Sequence, residues 1–366
     1  MNMHIKYIIN LIIMTFIFSK LAYSDITSNF FIANEGFSIS NTTLTTQADS
    51  PTTITFPNKS GTLSINYQNF THVLTVGDGG EYTTVNNALS TISDNNYTNS
   101  YLIKLSPGIF EEQVIMKEYV DIEGSGKNVT TIKYFGGSSL TNSYTVKGAN
   151  HSEIRNLSVI SFGTSKDYAI GVFNSDTSLT ISKISILSYG ATTNNYGIRN
   201  FNSPVTMSDI RIDAYGGTKS YGIANISSSL TSVSNISIEV KDAVDNIGLS
   251  NENSVLTATN FAINSFNGTN NYGVNNFSSS SINLSNFIIK AYNETNDSHG
   301  VKQSSGVLKI YSSQIYGNTK SITVIDLANV SIACTQLTGN LYFGTGTIKC
   351  INTYDSSFNA LNTTCQ

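Results

Sequence analysis

The chain has no tryptophan, four prolines and three cysteines in 366 residues, and only 12% of its residues are charged. Each shortage excludes something. Four prolines rule out a collagen-like triple helix. Sparse charge beside 39% apolar residues argues against a coiled coil and against a chain held open by its own charge. A net charge of −4 and a pI near 5.6 leave no basic patch, so no nucleic-acid partner is expected. Three cysteines without a histidine cluster make a poor zinc site, so neither metal nor cofactor is expected. What fills the space is polar and uncharged. Asn, Ser and Thr together number 136, and there are 27 glycines. These residues are poor in helix interiors, which disfavours an ordinary helical enzyme. The length suits two or three ordinary domains or one elongated repeat domain.

Residues 1–24 read as a secretory signal peptide. Lys6 supplies the positive start, residues 8–18 are apolar except Asn10 and Thr15, and small Ala22 and Ser24 precede Asp25. The apolar run falls short of the ~20 residues a membrane span needs, and no later stretch approaches it. The mature protein is expected to be exported: secreted, periplasmic or at a cell surface. Export permits a disulfide. Cys334 with Cys350 is the expected pair, Cys365 lying in a frayed end.

From about residue 144 to 330 the sequence repeats. Gly171, Gly197, Gly222, Gly248, Gly273 and Gly300 recur every 25 to 27 residues. Before them stand Ile170, Tyr196, Tyr221, Ile247, Tyr272 and His299. After them stand Val172, Ile198, Ile223, Leu249, Val274 and Val301. Residues flanking a strand position on either side share a face, so both sets are expected to point inward. Three residues past each glycine comes a polar column: Asn174, Asn200, Asn225, Asn251, Asn276 and Gln303. Asn329 is expected to continue it, and Val146, Gly148 and Asn150 to precede it in the same pattern. Stacked amides can bond one another, so the column reads as a buried structural ladder.

A second signal follows each ladder residue. Leu179, Ile181, Ile184 and Ile186 recur as Val205, Met207, Ile210 and Ile212, and so on to Leu308, Ile310, Ser313 and Ile315. This spacing predicts two alternating strands joined by a two-residue polar corner, with a bulge at 230–240. Three short strands per ~26-residue period, and no helical period, predict an all-β fold. The expected architecture is a single-stranded right-handed parallel β-helix, a solenoid over residues 71–330. A short helix near 82–92 is expected to cap its start. Residues 25–70 form a β-leaning N-terminal extension, and 331–366 a C-terminal cap.

Residues 76–132 carry a recognisable text. It includes Val76-Gly77-Asp78-Gly79-Gly80-Glu81-Tyr82, then Pro107-Gly108-Ile109-Phe110-Glu111-Glu112, then Val120-Asp121-Ile122-Glu123-Gly124. This stretch resembles the N-terminal region of pectin methylesterases. The resemblance implies the helix cap and first coils of a right-handed β-helix of the pectin-lyase-like superfamily, and a carbohydrate-related ancestry. That family's catalytic motifs, a Gln in a QAVA-like stretch, an Asp in a QDT stretch, an Asp in a DFIFG-like stretch and an Arg in a GRPW stretch, are not found. Glu112 is expected to be structural.

Two sets of residues are candidates for function. Asp209, Arg211, Asp213 and Glu239 gather charge on adjacent coils. Two carboxylates and an arginine are the groups an ester hydrolase needs for nucleophile, acid–base and oxyanion work. The alternative is a surface ion-pair patch. Tyr189, Tyr215, Phe266 and Tyr292 recur at outward parity, with Val240 in the gap and Phe162 and Tyr316 as loose extensions. Such rings either stack on sugars or pack under the next turn. The turns at 191–195, 217–220 and 293–298 vary in length, as recognition loops do. The functional expectation is a non-catalytic exported β-helix binding a polysaccharide or cell-surface glycan. The alternatives are a divergent pectinesterase-like or lyase-like enzyme, and a structural or adhesin spacer.

Overall fold

The computed structural model describes residues 70–365, together with one antiparallel pair, Phe30–Phe31 with Ser38–Ile39. That pair belongs to a first unit, Met1–Tyr67, and the rest to a second, Gln68–Gln366. The signal peptide expected at 1–24 and the remainder of the 25–70 extension lie outside the described residues.

The second unit is a right-handed parallel β-helix of about 10 coils, each of about 26 residues. Parallel pairing runs unbroken from His72–Val76 to Thr347–Ile351. One coil shows the plan: Tyr168–Ser175, Thr180–Ser182 and Ser185–Tyr189, each hydrogen-bonded to its counterpart one coil on. Register converts the sequence repeat into columns. Ile186 sits on Ile212, then Ile238, Ile263, Ile289 and Ile315, all buried. The two-residue corner exists in every coil. Lys183, Asp209, Asn235, Asn260, Asn286 and Ser312 occupy it with φ between 48° and 59°. Asn and Asp tolerate this left-handed region best, which accounts for their place there. On the outside these corners form their own chain: Asn235 donates to Asp209 at 3.0 Å, Asn260 to Asn235 at 3.0 Å and Asn286 to Asn260 at 3.2 Å. The bulge expected at 230–240 falls between Leu230 and Val233.

The glycine ruler has a steric cause. A Cβ on Gly248 would lie 2.2 Å from Cγ2 of Ile263 and 2.6 Å from the carbonyl oxygen of Gly273, and the other five ruler glycines are as crowded. The backbone is pinched into the core there, and only a residue without a side chain fits. The pinch also breaks strand alternation. The glycine and the residue after it both face inward. The residue before it therefore faces out, beside the residue two places after the glycine. The expectation that Ile170, Tyr196, Tyr221, Ile247, Tyr272 and His299 point inward is thus corrected. Arg199, which faces out, stands over the Tyr196 ring at 6.0 Å, and Lys302 over the Tyr272 ring at 5.3 Å. The residues that do face inward ahead of each glycine are Ala169, Asn195, Ser220, Asn246, Asn271 and Ser298, all fully buried.

The amide ladder is present and continuous from Asn174 to Gln303. Asn174 donates to Asn200 at 2.8 Å, Asn200 to Asn225 at 2.8 Å and Asn225 to Asn251 at 3.4 Å. Asn251 donates to Asn276 at 2.9 Å and Asn276 to Gln303 at 2.6 Å. Both ends differ from expectation. The next coil is short, so Val324, not Asn329, pairs with Gln303, and Asn329 is exposed at the start of another strand. At the other end Val146 pairs with Val172, which puts Gly148 rather than Asn150 in the ladder position. Asn174 Oδ1 consequently has no hydrogen-bond partner.

The helix Val85–Thr91 covers the first coil with Val85, Ala88 and Leu89. Thr84 caps it through Asn87 N–H at 3.1 Å, and the Glu112 carboxylate accepts from Val85 and Asn86 N–H at 2.7 and 2.9 Å. Glu112 is structural, as its place in the sequence suggests. At the far end the coil runs past residue 330, through Asn329–Ala333, Gln336–Phe343 and Thr347–Ile351. Residues 352–365 then fold back, with Leu361 and Cys365 on the core. The disulfide joins Cys350 to Cys365, correcting the expected Cys334–Cys350 pair. Cys350 stacks under inward Ile332, whereas Cys334 lies past it in a turn at φ 51° with its side chain exposed. The two thiols face opposite ways.

Candidate functional site

The charged quartet does not converge. Arg211 grips Asp213 through Nε and Nη2 at 2.8 and 2.9 Å, and Lys241 holds Glu239 at 2.7 Å. Asp213 and Glu239 are register partners on a sheet exterior. Asp209 is turned into the corner, where its carboxylate accepts from Asn235. Each acid already has a partner, and the surface that carries them is a sheet face rather than a cleft. A second charge cluster, unmarked by the repeat, lies in the first coils. Arg155 contacts Asp121 at 3.0 Å, Glu123 at 3.0 Å and Glu153 at 2.8 Å. Burial pushes the Asp121 carboxyl above its usual range, against the pull of its bonds to Glu153 N–H and Arg155. These groups satisfy one another and tie coil to coil.

The outer aromatic column is longer than its sequence signature. Phe135, Phe162, Tyr189, Tyr215, Lys241, Phe266 and Tyr292 are successive register partners. Lys241, not Val240, fills the gap, with its ammonium 6.0 Å from the Tyr215 ring and 5.7 Å from the Phe266 ring; Val240 is buried. Tyr316 pairs with Lys290 and is outside the column. Tyr189 stacks on Tyr215 at 5.1 Å and Phe266 on Tyr292 at 5.2 Å, with planes within 19° and 10°. Rings stacked face to face present edges to solvent, and sugars stack on faces. The stacked pairs pack coil on coil.

Because the backbone is drawn inward at every ruler glycine, the outer face of the sheet bends along that line, here termed the furrow. Its floor is the column Tyr144, Ile170, Tyr196, Tyr221, Ile247, Tyr272 and His299. Tyr196 stacks on Tyr221 at 4.7 Å and Tyr272 on His299 at 5.3 Å. One wall is the column Phe173, Arg199, Ala224, Ser250, Asn275 and Lys302. At one end Tyr144, Ile170, Phe173, Tyr196 and Ala224 form a cluster separate from the main core, with Leu140, Tyr168 and Tyr221 packed against it. Burial raises the Tyr196, Tyr221 and Tyr272 phenols above their ordinary value, so all three carry their proton at neutral pH. Arg199 lies 5.3 Å from the Phe173 ring and has no carboxylate partner among the described residues. Its Nε is buried with no hydrogen bond. Strict strand alternation hid this site. A usable signal was there: the small-residue column Ala169, Asn195, Ser220, Asn246, Asn271 and Ser298 marks the inward side one position earlier than the tyrosines.

The furrow ends at His299. Its Nε2 meets Asp297 Oδ2 at 2.5 Å and its Nδ1 meets Thr323 Oγ1 at 2.6 Å, while Lys320 lies 3.3 Å from Asp297. Burial, followed by Lys320 and Lys302, lowers the His299 pKa against the opposing pull of Asp297. The folded state thus keeps the ring neutral, while the unfolded chain takes a proton below about pH 6.5. The resulting stability is present above that pH and lost as pH falls through the lowered folded value. Asp297 is also lowered, so its own contribution fades only near pH 4 and below. Thermal melts from pH 7 to 5 should show stability falling by at most about 1.4 kcal/mol per pH unit from this one proton. His299→Gln should flatten that slope. An unchanged slope would assign it elsewhere.

No family model matches the chain, and no curated protein matches it. Among solved structures it is similar to carrot pectin methylesterase, at 13% identity and TM-score 0.36, over 82% of this chain and 86% of that one. It is similar to the mannuronan C-5 epimerase AlgE4 A-module of Azotobacter vinelandii, at 14% identity and TM-score 0.40, over 70% and 89%. A pectin methylesterase in complex with a hexasaccharide is 9% identical, at TM-score 0.36, over 80% and 92%.

Proposed function

We propose that the protein is an exported, non-catalytic β-helix that holds a carbohydrate chain along the furrow of its bent sheet. The observation that carries this reading is Arg199. The guanidinium is partly buried and has no carboxylate among the described residues to neutralise it, so an anionic group on a ligand would supply the missing partner. Further along the furrow floor the partly exposed Tyr221 and Tyr272 present ring edges and phenol hydroxyls, which can pack against and hydrogen-bond a sugar. The fork of the guanidinium matches a carboxylate or sulfate on such a chain. The engagement of Asp209, Asp213 and Glu239 by other residues supports binding rather than hydrolysis.

The test is retention on a panel of neutral and acidic polysaccharides, followed by calorimetry on whichever is retained. Arg199→Ala should weaken binding at least tenfold, while Tyr215→Ala with Tyr292→Ala should leave it within about twofold. Equal binding by Arg199→Ala removes the furrow from the reading. Methanol release from methylated pectin, or an ultraviolet-absorbing unsaturated product, that disappears in Asp213→Asn would replace binding with catalysis.

A further inference from the structure

Resting on that reading of the furrow, we infer that it is a bounded saddle, built for an oligosaccharide segment of about four units rather than for a chain laid along the whole solenoid. The boundary is set by the turns that lead into the bent sheet. Between the outer column and the furrow floor the chain spends eight residues at 136–143, seven at 163–169 and six at 190–195. It spends only five at 216–220, 242–246 and 267–271, then six again at 293–298. The wall is therefore high at one end, low in the middle and raised again at the other end.

The high end folds over the floor. Leu140 packs against the Tyr144, Ile170 and Phe173 cluster, and Gly137 makes an antiparallel bridge with Tyr168. Ile170 is left with no exposed surface and Tyr196 with 7%. In the middle, Tyr221 and Tyr272 are partly exposed on either side of Ile247, which is buried between them, and the facing wall shrinks to the small side chains of Ala224 and Ser250. At the far end Lys302 lies over Tyr272, and the Asp297–His299–Lys320 group closes the floor. Arg199 and Lys302 flank the low section from the same wall column. They are four register steps apart, or ~19 Å at the parallel-strand spacing. Neither has a carboxylate partner among the described residues. A pyranoside unit advances a chain by about one such step, so the open section holds about four.

Size-fractionated oligosaccharides, dimer to decamer, prepared from the polysaccharide retained in the panel test this by calorimetry. Affinity should rise to about the tetramer and then stay level within about twofold. Replacing residues 136–143 with the five-residue sequence of 216–220 should move the plateau one or two units longer. Leu140→Ser, which keeps the turn length, should move it in the same direction and covers the case in which the graft fails to fold. A steady rise in affinity to the decamer, or a plateau unmoved by both variants, overturns the bounded saddle and leaves the furrow as a carbohydrate site. Binding that is the same in Arg199→Ala at every length instead overturns the furrow itself.

Discussion

Gly248→Ala should destabilise the protein by more than about 3 kcal/mol, the upper end of what added core methylenes cost. The new methyl would meet Ile263 Cγ2 at 2.2 Å and the Gly273 carbonyl oxygen at 2.6 Å. The first neighbour is a side chain and can shift. The second is the backbone of the next coil and is held by parallel pairing on both sides. Ile263→Ala in the same chain should therefore recover part of the loss and not all of it, a non-additivity that a double-mutant cycle reads directly. Gly216→Ala is the control. That glycine has φ +85° and nothing within 4 Å of a Cβ, so its cost is backbone strain alone, about 1–2 kcal/mol. Urea melts of the four variants separate crowding from conformation. Equal losses at Gly216 and Gly248 would show that close approach to Ile263 and the Gly273 carbonyl adds nothing to the cost of a side chain at the ruler glycines.

The same glycines mark what was legible in the sequence. Their 25-to-27-residue spacing carries the coil, the strand columns and the amide ladder, because parallel stacking turns every sequence period into a spatial neighbour. Legibility stopped where alternation stopped. Reading residues on either side of Gly171 as one face follows from a straight strand, and the pinch makes the strand anything but straight. One misplaced parity moved Tyr196, Tyr221 and Tyr272 from an outer furrow to an inner core, and left Arg199 unremarked as a lone outward cation. The end effects failed for a related reason. Leu327 and Asn329 fit the period by count, but the coil after Gln303 is short and the register shifts near Lys320. Leu327 is accordingly 81% exposed. The disulfide expectation failed because the chain end is not frayed: residues 352–365 fold back and bury Cys365 beside Cys350, while Cys334 points out.

Asn200→Leu should cost about 2–6 kcal/mol, the sum for two buried polar groups left unmatched at ~1–3 kcal/mol each. Asn174 Nδ2 would lose its acceptor at 2.8 Å, and Asn225 Oδ1 its donor at 2.8 Å. Asn174→Leu, at the open end, should cost far less. It strands only Asn200 Oδ1, and it removes the Asn174 Oδ1 that is already without a partner. Shape does not distinguish the two sites, since leucine is close to asparagine in size. Nor is the position hostile to apolar side chains, because Val324 occupies it, fully buried, one coil beyond Gln303. The ladder is thus a chain whose interior links depend on one another and whose ends do not. Chemical denaturation of both variants measures the difference. Equal costs would mean that the amides act as volume filling the coil, and that the hydrogen bonds between them contribute little.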